Sequence, residues 1–170
     1  LDLTEHIVEV ISDSGEGAQR CGQSLAAIAA RSGNGVWTVE IIPAEIQPPA
    51  RSVAGASGIR IRIGAGRITN GGDQTDLVMA FNEQVLLGRV RAGELKPGAT
   101  IMLESIWREH KDPKIVASYE ETLKSLLTEG FRVVETRTSD VFIPLPRRVA
   151  ISNAQSGSIF VSIHYNWARR

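Results

Sequence analysis

Scarcity says most about this sequence at first sight. It has one cysteine, Cys21, and three histidines, His6, His110 and His164, in 170 residues. One cysteine excludes an internal disulfide, and a single thiolate cannot hold an iron–sulfur cluster, which takes about four. Cluster chemistry, if the chain takes part in any, belongs to another chain. The 19 basic residues balance the 19 acidic ones, so no net field gathers nucleic acid or an anionic membrane surface, and neither is expected as a partner. No apolar run approaches the roughly 20 residues of a membrane span. The start, Leu1-Asp2-Leu3-Thr4-Glu5, lacks the basic and apolar regions of a signal peptide, so the expected location is cytoplasmic.

What is present is a hydrophobic content of 42%, enough for one globular domain over residues 1–170 with a single core. Ile7 to Ile11 is short and β-branched and runs into Ser12-Asp13-Ser14-Gly15-Glu16-Gly17, a strand entering a tight turn. From Ala18 to Arg31 the spacing turns helical, with Cys21, Leu25, Ile28 and Ala29 on one face and Gly33-Asn34-Gly35 as the stop. Val36 to Ile42 reads as a second strand, closed by Pro43 and then Pro48-Pro49, which continue neither a ladder nor a helix. A long irregular segment follows, ending in the small residues of Ser52 to Gly58.

Ile59, Ile61 and Ile63 alternate with Arg60 and Arg62, the pattern of an edge strand that buries one face and shows arginines to solvent on the other. Asp76 to Phe81 is a buried strand, and Asn82 is placed to cap a short helix from Glu83 to Val90. Leu95-Lys96-Pro97-Gly98 reads as a turn into the strand Ala99 to Leu103. Ile115 to Thr128 is amphipathic, with Val116, Tyr119, Leu123, Leu126 and Leu127 inward, Gly130 at its end and a strand from Phe131 to Glu135 beyond.

Strands alternating with helices predict an α/β fold, a three-layer α/β/α sandwich on a mostly parallel sheet, with ligands beyond the carboxyl ends of the strands. The turn from Ser14 to Gly17 occupies such a position, and its backbone amides suit a phosphate or carboxylate. It departs from the dinucleotide fingerprint: after Gly15 and Gly17 the next glycine is Gly22, two residues late, and Glu16 would repel a pyrophosphate.

Several blocks then carry a resemblance: ISDSGEGAQRCGQ at 11–23, PAEIQPPARSVAGASGIRIRIG at 43–64, DLVMAFNE at 76–83 and LKPG at 95–98. In this order, over about residues 5–135, the chain resembles the gamma domain of 2-oxoacid:ferredoxin oxidoreductases. The resemblance implies a complex that decarboxylates a 2-oxoacid on thiamine diphosphate, passes electrons through iron–sulfur clusters to ferredoxin and releases an acyl-coenzyme A. Alpha and beta subunits would be the partners. Nothing in this chain resembles the thiamine motif or the cluster cysteines, so it would contribute to that reaction without running it alone. Ser14, Gly15 and Gly17, with Arg51 and Ser52, are then the candidates to touch coenzyme A or a neighbouring subunit, and Arg51, Arg60 and Arg62 offer planar forks to phosphates or carboxylates.

The last residues differ. Thr136-Arg137-Thr138-Ser139-Asp140, then Leu145 with Arg148, then Phe160-Val161-Ser162-Ile163-His164-Tyr165-Asn166 resemble the N-acetylmuramoyl-L-alanine amidases over about residues 125–166. That resemblance implies a zinc hydrolase in which His164 is a metal ligand. A catalytic zinc takes about three protein ligands and an open position; the turn at Ser14 to Gly17 has no histidine where the family places its first ligand, and the glutamate ligand has no match. The chain thus reads as a hybrid, gamma-like over 1–135 and amidase-like over 136–170. The leading expectation is an oxidoreductase component; the alternative is a zinc amidase or an inactive fragment of one.

Overall fold

The computed structural model describes residues 4–43 and 56–136, with isolated positions 144, 146, 147 and 150. The chain divides into two compact units, residues 2–138 and residues 139–170 with residue 1. The first unit holds the sheet and the helices packed on it.

The core begins with β1 (Glu5–Ser12), whose residues from Ile7 on are 4% exposed or less. Apolar side chains on both faces are what a strand between two helical layers requires. Val10 joins Ala18, Cys21, Ala26, Ile59 and Ile61 in one cluster, while its neighbour Ile11 joins Val78, Leu86, Ile101, Tyr119 and Leu126 in another. Full burial of each such side chain is worth about 1.5–3 kcal/mol.

The remaining elements are α1 (Ala18–Arg31), β2 (Gly35–Ile41), β3 (Ser57–Gly64), β4 (Thr75–Ala80), α2 (Glu83–Arg91), β5 (Leu95–Leu103), α3 (Pro113–Thr128) and β6 (Arg132–Glu135). The strand order is β2-β3-β1-β4-β5-β6. The pairings β1–β4, β4–β5 and β5–β6 are parallel, and β3 runs antiparallel to both of its neighbours. α1 belongs to one cluster and α2 and α3 to the other, which gives the expected three layers and largely parallel sheet.

Capping sets the helix starts. The Asn82 side chain accepts from the amides of Gln84 and Val85, and Asp112 accepts from Lys114 ahead of Pro113, each satisfying amides that the helix leaves open. Gly130, at φ 85, follows the end of α3.

Four expectations need correction. First, β3 is no edge strand: it lies between β2 and β1, and Arg60 is held by the buried Glu9 rather than shown to water. Burial works against the Arg60 charge, yet Glu9 and Glu94 outweigh it and raise the guanidinium above its ordinary value. Second, Ile28 and Leu127 are exposed. α1 approaches the sheet through Ala18, Cys21, Gly22, Ala26 and Ala29, and α3 buries Thr122 where Leu127 was expected. Third, Leu95 to Gly98 already belongs to β5, with a register irregularity between Thr75 and Leu77. Fourth, a short 3-10 turn, Ile106–Glu109, follows β5 where no element was expected. The irregular segment at 44–55, including Pro48-Pro49, and the amidase-like stretch at 160–166 lie outside the described residues, and of residues 145–155 only 146, 147 and 150 are described.

Candidate functional site

The carboxyl ends of β1, β4, β5 and β6 share one edge of the sheet, and the turn after β1 sits there. Gly15 (φ 89) and Gly17 (φ 92) take left-handed backbone that other residues adopt at a cost of about 1–2 kcal/mol. The pair folds Glu16 back on the strand end: the Asp13 amide donates to Glu16 Oε2 at 3.0 Å. Gly17 precedes the first turn of α1 without a side-chain cap, so the helix start relies on backbone and surroundings.

The turn is tied to the next strand. Asn82, fully buried, donates through Nδ2 to Asp13 Oδ2 at 3.2 Å while its Oδ1 caps α2. Beside it, Glu83 is buried at the start of α2 with Ser118 Oγ at 3.5 Å. Further along the edge, Trp107 Nε1 donates to the Phe81 carbonyl at 2.7 Å, and the Ser105 amide donates to Thr136 Oγ1 at 3.4 Å. Tyr119 OH donates to Glu135 Oε1 at 2.9 Å, and Arg108 reaches Glu135 and Glu120. Burial first, then Glu135, push the Tyr119 phenol well above its ordinary value.

Of the expected site residues, Ser14, Gly15 and Gly17 therefore share one turn at the carboxyl edge, joined to Asn82 through Asp13. Arg51, Ser52 and His164 lie outside the described residues. Arg60 and Arg62 are engaged away from the turn, Arg60 by Glu9 and Glu94 and Arg62 by Glu5 and Asn70. The Asp13–Asn82 link was missed because its members stand 69 positions apart; what the sequence did show of Asn82 was its place as the cap of α2.

Among the described residues no group of three His, Cys, Asp or Glu side chains can hold a metal ion. His6 Nδ1 lies 3.9 Å from Asp76, whereas His110 Nδ1 accepts from the Asp112 amide and its ring is 6.0 Å from that of Trp107. Cys21 is buried on the inner face of α1, and burial raises its thiol pKa. No described helix is long and apolar enough to cross a membrane.

Comparison with known proteins divides along the chain. The family described as N-acetylmuramoyl-L-alanine amidase matches residues 92–170. That start is earlier than the expected position near 125, so the match takes in β5, α3 and β6. The 2-oxoglutarate oxidoreductase subunit KorA of Mycobacterium tuberculosis is 32% identical over 103 residues, 61% of this chain and 16% of that protein. The amidase AmiC of Neisseria meningitidis serogroup B is 44% identical over 50 residues, 29% of this chain and 12% of that protein. The chain thus spans only a small part of either relative.

Among solved structures, 2-oxoglutarate:ferredoxin oxidoreductase from Magnetococcus marinus, with 2-oxoglutarate, coenzyme A and succinyl-CoA bound, has a TM-score of 0.51 and 28% identity, over 61% of this chain and 17% of that one. The gamma subunit of a keto/oxoacid ferredoxin oxidoreductase from Geobacter sulfurreducens shares the fold, with a TM-score of 0.51 and 15% identity over 78% of this chain and 61% of that one. Similarity to 2-oxoglutarate oxidoreductases thus extends over 61% of the chain, beside an amidase-type match over residues 92–170.

Proposed function

We propose that this chain serves as a gamma-type component of a 2-oxoacid:ferredoxin oxidoreductase, a complex that converts a 2-oxoacid to an acyl-coenzyme A in the cytoplasm. The observation that carries this reading is the agreement of sequence and fold with the Magnetococcus enzyme over the same share of the chain, 61%, that matches the mycobacterial subunit. Thiamine diphosphate and the iron–sulfur clusters would be held by alpha and beta subunits, and electrons would leave to ferredoxin. The chain's single cysteine, buried on the inner face of α1, cannot hold a cluster alone, which suits a component that is inactive when isolated.

In this reading Ser14, Gly15 and Gly17 face coenzyme A or a neighbouring subunit, with Arg51 and Ser52 joining them. Support comes from the turn's place at the carboxyl edge and from the Cα pairing of Ser12 with Ser57, which brings the strand that follows residues 51 and 52 alongside the turn. The acidic side chains of Asp13, Glu16 and Glu83 along the same edge favour contact through backbone amides and arginine over an open polyphosphate groove. Residues 1–135 would carry this role, and 136–170 would form an amidase-like end.

The test is reconstitution. Added to partner subunits from which the corresponding part has been removed, the chain should restore 2-oxoacid-dependent ferredoxin reduction. Partners that remain inactive while the folded chain migrates separately would overturn the reading.

A second reading, a zinc-dependent amidase or an inactive fragment of one, is favoured by the match over residues 92–170 and the 44% identity to AmiC. One tightly bound zinc per chain, lost in His164→Ala, would bring the zinc-dependent amidase forward; a metal-free chain after dialysis against zinc would remove it and leave only the inactive fragment.

A further inference from the structure

The sequence contains two asparagine–glycine steps, Asn34-Gly35 and Asn70-Gly71, and the fold treats them differently. An asparagine side-chain carbonyl can be attacked by the backbone nitrogen of the following residue, and glycine, lacking Cβ, obstructs that approach least. Whether the attack occurs depends on what holds the side chain and the next amide.

Asn70 lies exposed between β3 and β4. Its Oδ1 accepts from two donors, Arg62 Nη1 at 2.5 Å and the Gly72 amide at 2.9 Å. The bond from Gly72 curls the side chain over its own backbone, as in an Asx turn, towards the Gly71 nitrogen. Both donors draw electron density from Cγ and stand where negative charge develops when a nucleophile adds, which is the arrangement of an oxyanion hole.

Asn34 is held otherwise. Its backbone amide and its Nδ2 both donate to the Ala29 carbonyl, at 3.2 and 3.1 Å. Gly35 is already in β2, opposite Gly64, with the Gly66 carbonyl so close that an added Cβ would lie 1.8 Å from it. The Gly35 nitrogen is fixed by the sheet and cannot swing towards Cγ without local opening.

We propose that Asn70 is a site of spontaneous deamidation, assisted by Arg62 and the Gly72 amide, and that Asn34 is protected. The Gly71 nitrogen gives its proton to solvent base and bonds to Cγ; the Cγ–Nδ2 bond breaks and the nitrogen leaves as ammonia with a proton from water. Water then opens the resulting succinimide at either carbonyl, leaving aspartate or isoaspartate at position 70. No redox partner is needed. The glycines after Asn70 pack near β2 and β1: a Cβ on Gly71 would lie 2.8 Å from Val39 Cγ2, and one on Gly72 2.3 Å from Ile7 Cδ1.

The test is peptide mapping by mass spectrometry after incubating the folded chain in mildly alkaline buffer, with isoaspartate identified by enzymatic methylation. Product at Asn70 should accumulate about tenfold or more faster than at Asn34, a difference of barrier that denaturant should abolish. Arg62→Lys should slow Asn70 and leave Asn34 unchanged. Equal rates at the two steps in the folded chain, or an intact Asn70 over the time in which the denatured chain reacts, would overturn the proposal. An Arg62→Lys rate at or above the original would overturn the part given to Arg62.

Discussion

Glu9 and Arg60 stand directly opposite each other on β1 and β3, and their side chains meet at 2.7 Å inside the sheet layer, Glu9 at 0% and Arg60 at 11% exposure. Arg89 from α2 reaches the same carboxylate at 2.6 Å, and Glu94 joins both arginines. Two acids and two bases so balanced tie the reversed strand and α2 to the centre of the sheet.

Removing Glu9 leaves two guanidiniums facing one carboxylate. Glu9→Gln should lower stability by about 3–5 kcal/mol, the cost of breaking a buried pair from one side. Arg62→Gln, which breaks a pair whose Glu5 is 41% exposed, should cost about 0–1 kcal/mol. Urea unfolding of the two variants checks the contrast, and equal losses would contradict it.

Acid should act through Asp76. Burial raises its pKa, but the Lys96 hydrogen bond at 2.6 Å, the Ile7 amide and the nearby charges outweigh this and leave it below the ordinary value of 3.8. A carboxylate with a depressed folded-state pKa contributes stability present above its unfolded value and lost as pH falls through the folded one. The urea midpoint should therefore fall below about pH 4, and Asp76→Asn should flatten that limb while lowering the neutral plateau. An unchanged acid limb in the variant would contradict the assignment.

Gly22 is where α1 touches β3. A Cβ there would lie 1.9 Å from Ile59 Cγ2, so Gly22→Ala should cost about 1–3 kcal/mol through overpacking. In an exposed helix the same change usually stabilises. Thermal unfolding gives the sign, and a raised midpoint would show that the helix is free to shift.

Tyr119 should resist ionisation. A folded-state pKa raised by burial and by Glu135 contributes stability that is fully present below the unfolded value near 10 and is lost as pH rises through the folded one. Tyr119→Phe should cost about 1 kcal/mol at neutral pH from the lost hydrogen bond. An alkaline absorbance titration of the folded protein should lose its late-titrating phenol in that variant; two phenols ionising in the ordinary range before substitution would contradict the account.

Much of the fold could be read locally. The glycine turn into α1, the Asn82 cap and the stop at Gly130 each depend on residues a few positions apart, where capping and left-handed backbone have strong preferences. The order of strands is not local, so β3 read as an edge and Arg60 as surface, although Glu9 lies 51 positions away in sequence and beside it in space. Helix faces failed where small residues did the packing: Gly22 and Ala26 bury against the sheet while Ile28 points to solvent, because close approach selects size over hydrophobicity. At the candidate site the turn was legible from Gly15 and Gly17, but its tie to Asn82 was not, since neither Asp13 nor Asn82 carries a signal of the other.

The most direct test of the central claim is native mass spectrometry of the chain co-expressed with thiamine- and cluster-binding subunits that lack a gamma-type part. A stable complex containing one copy of this chain for each copy of that missing part is the expected result. A folded chain that appears only by itself, while the partner subunits assemble without it, would contradict the claim.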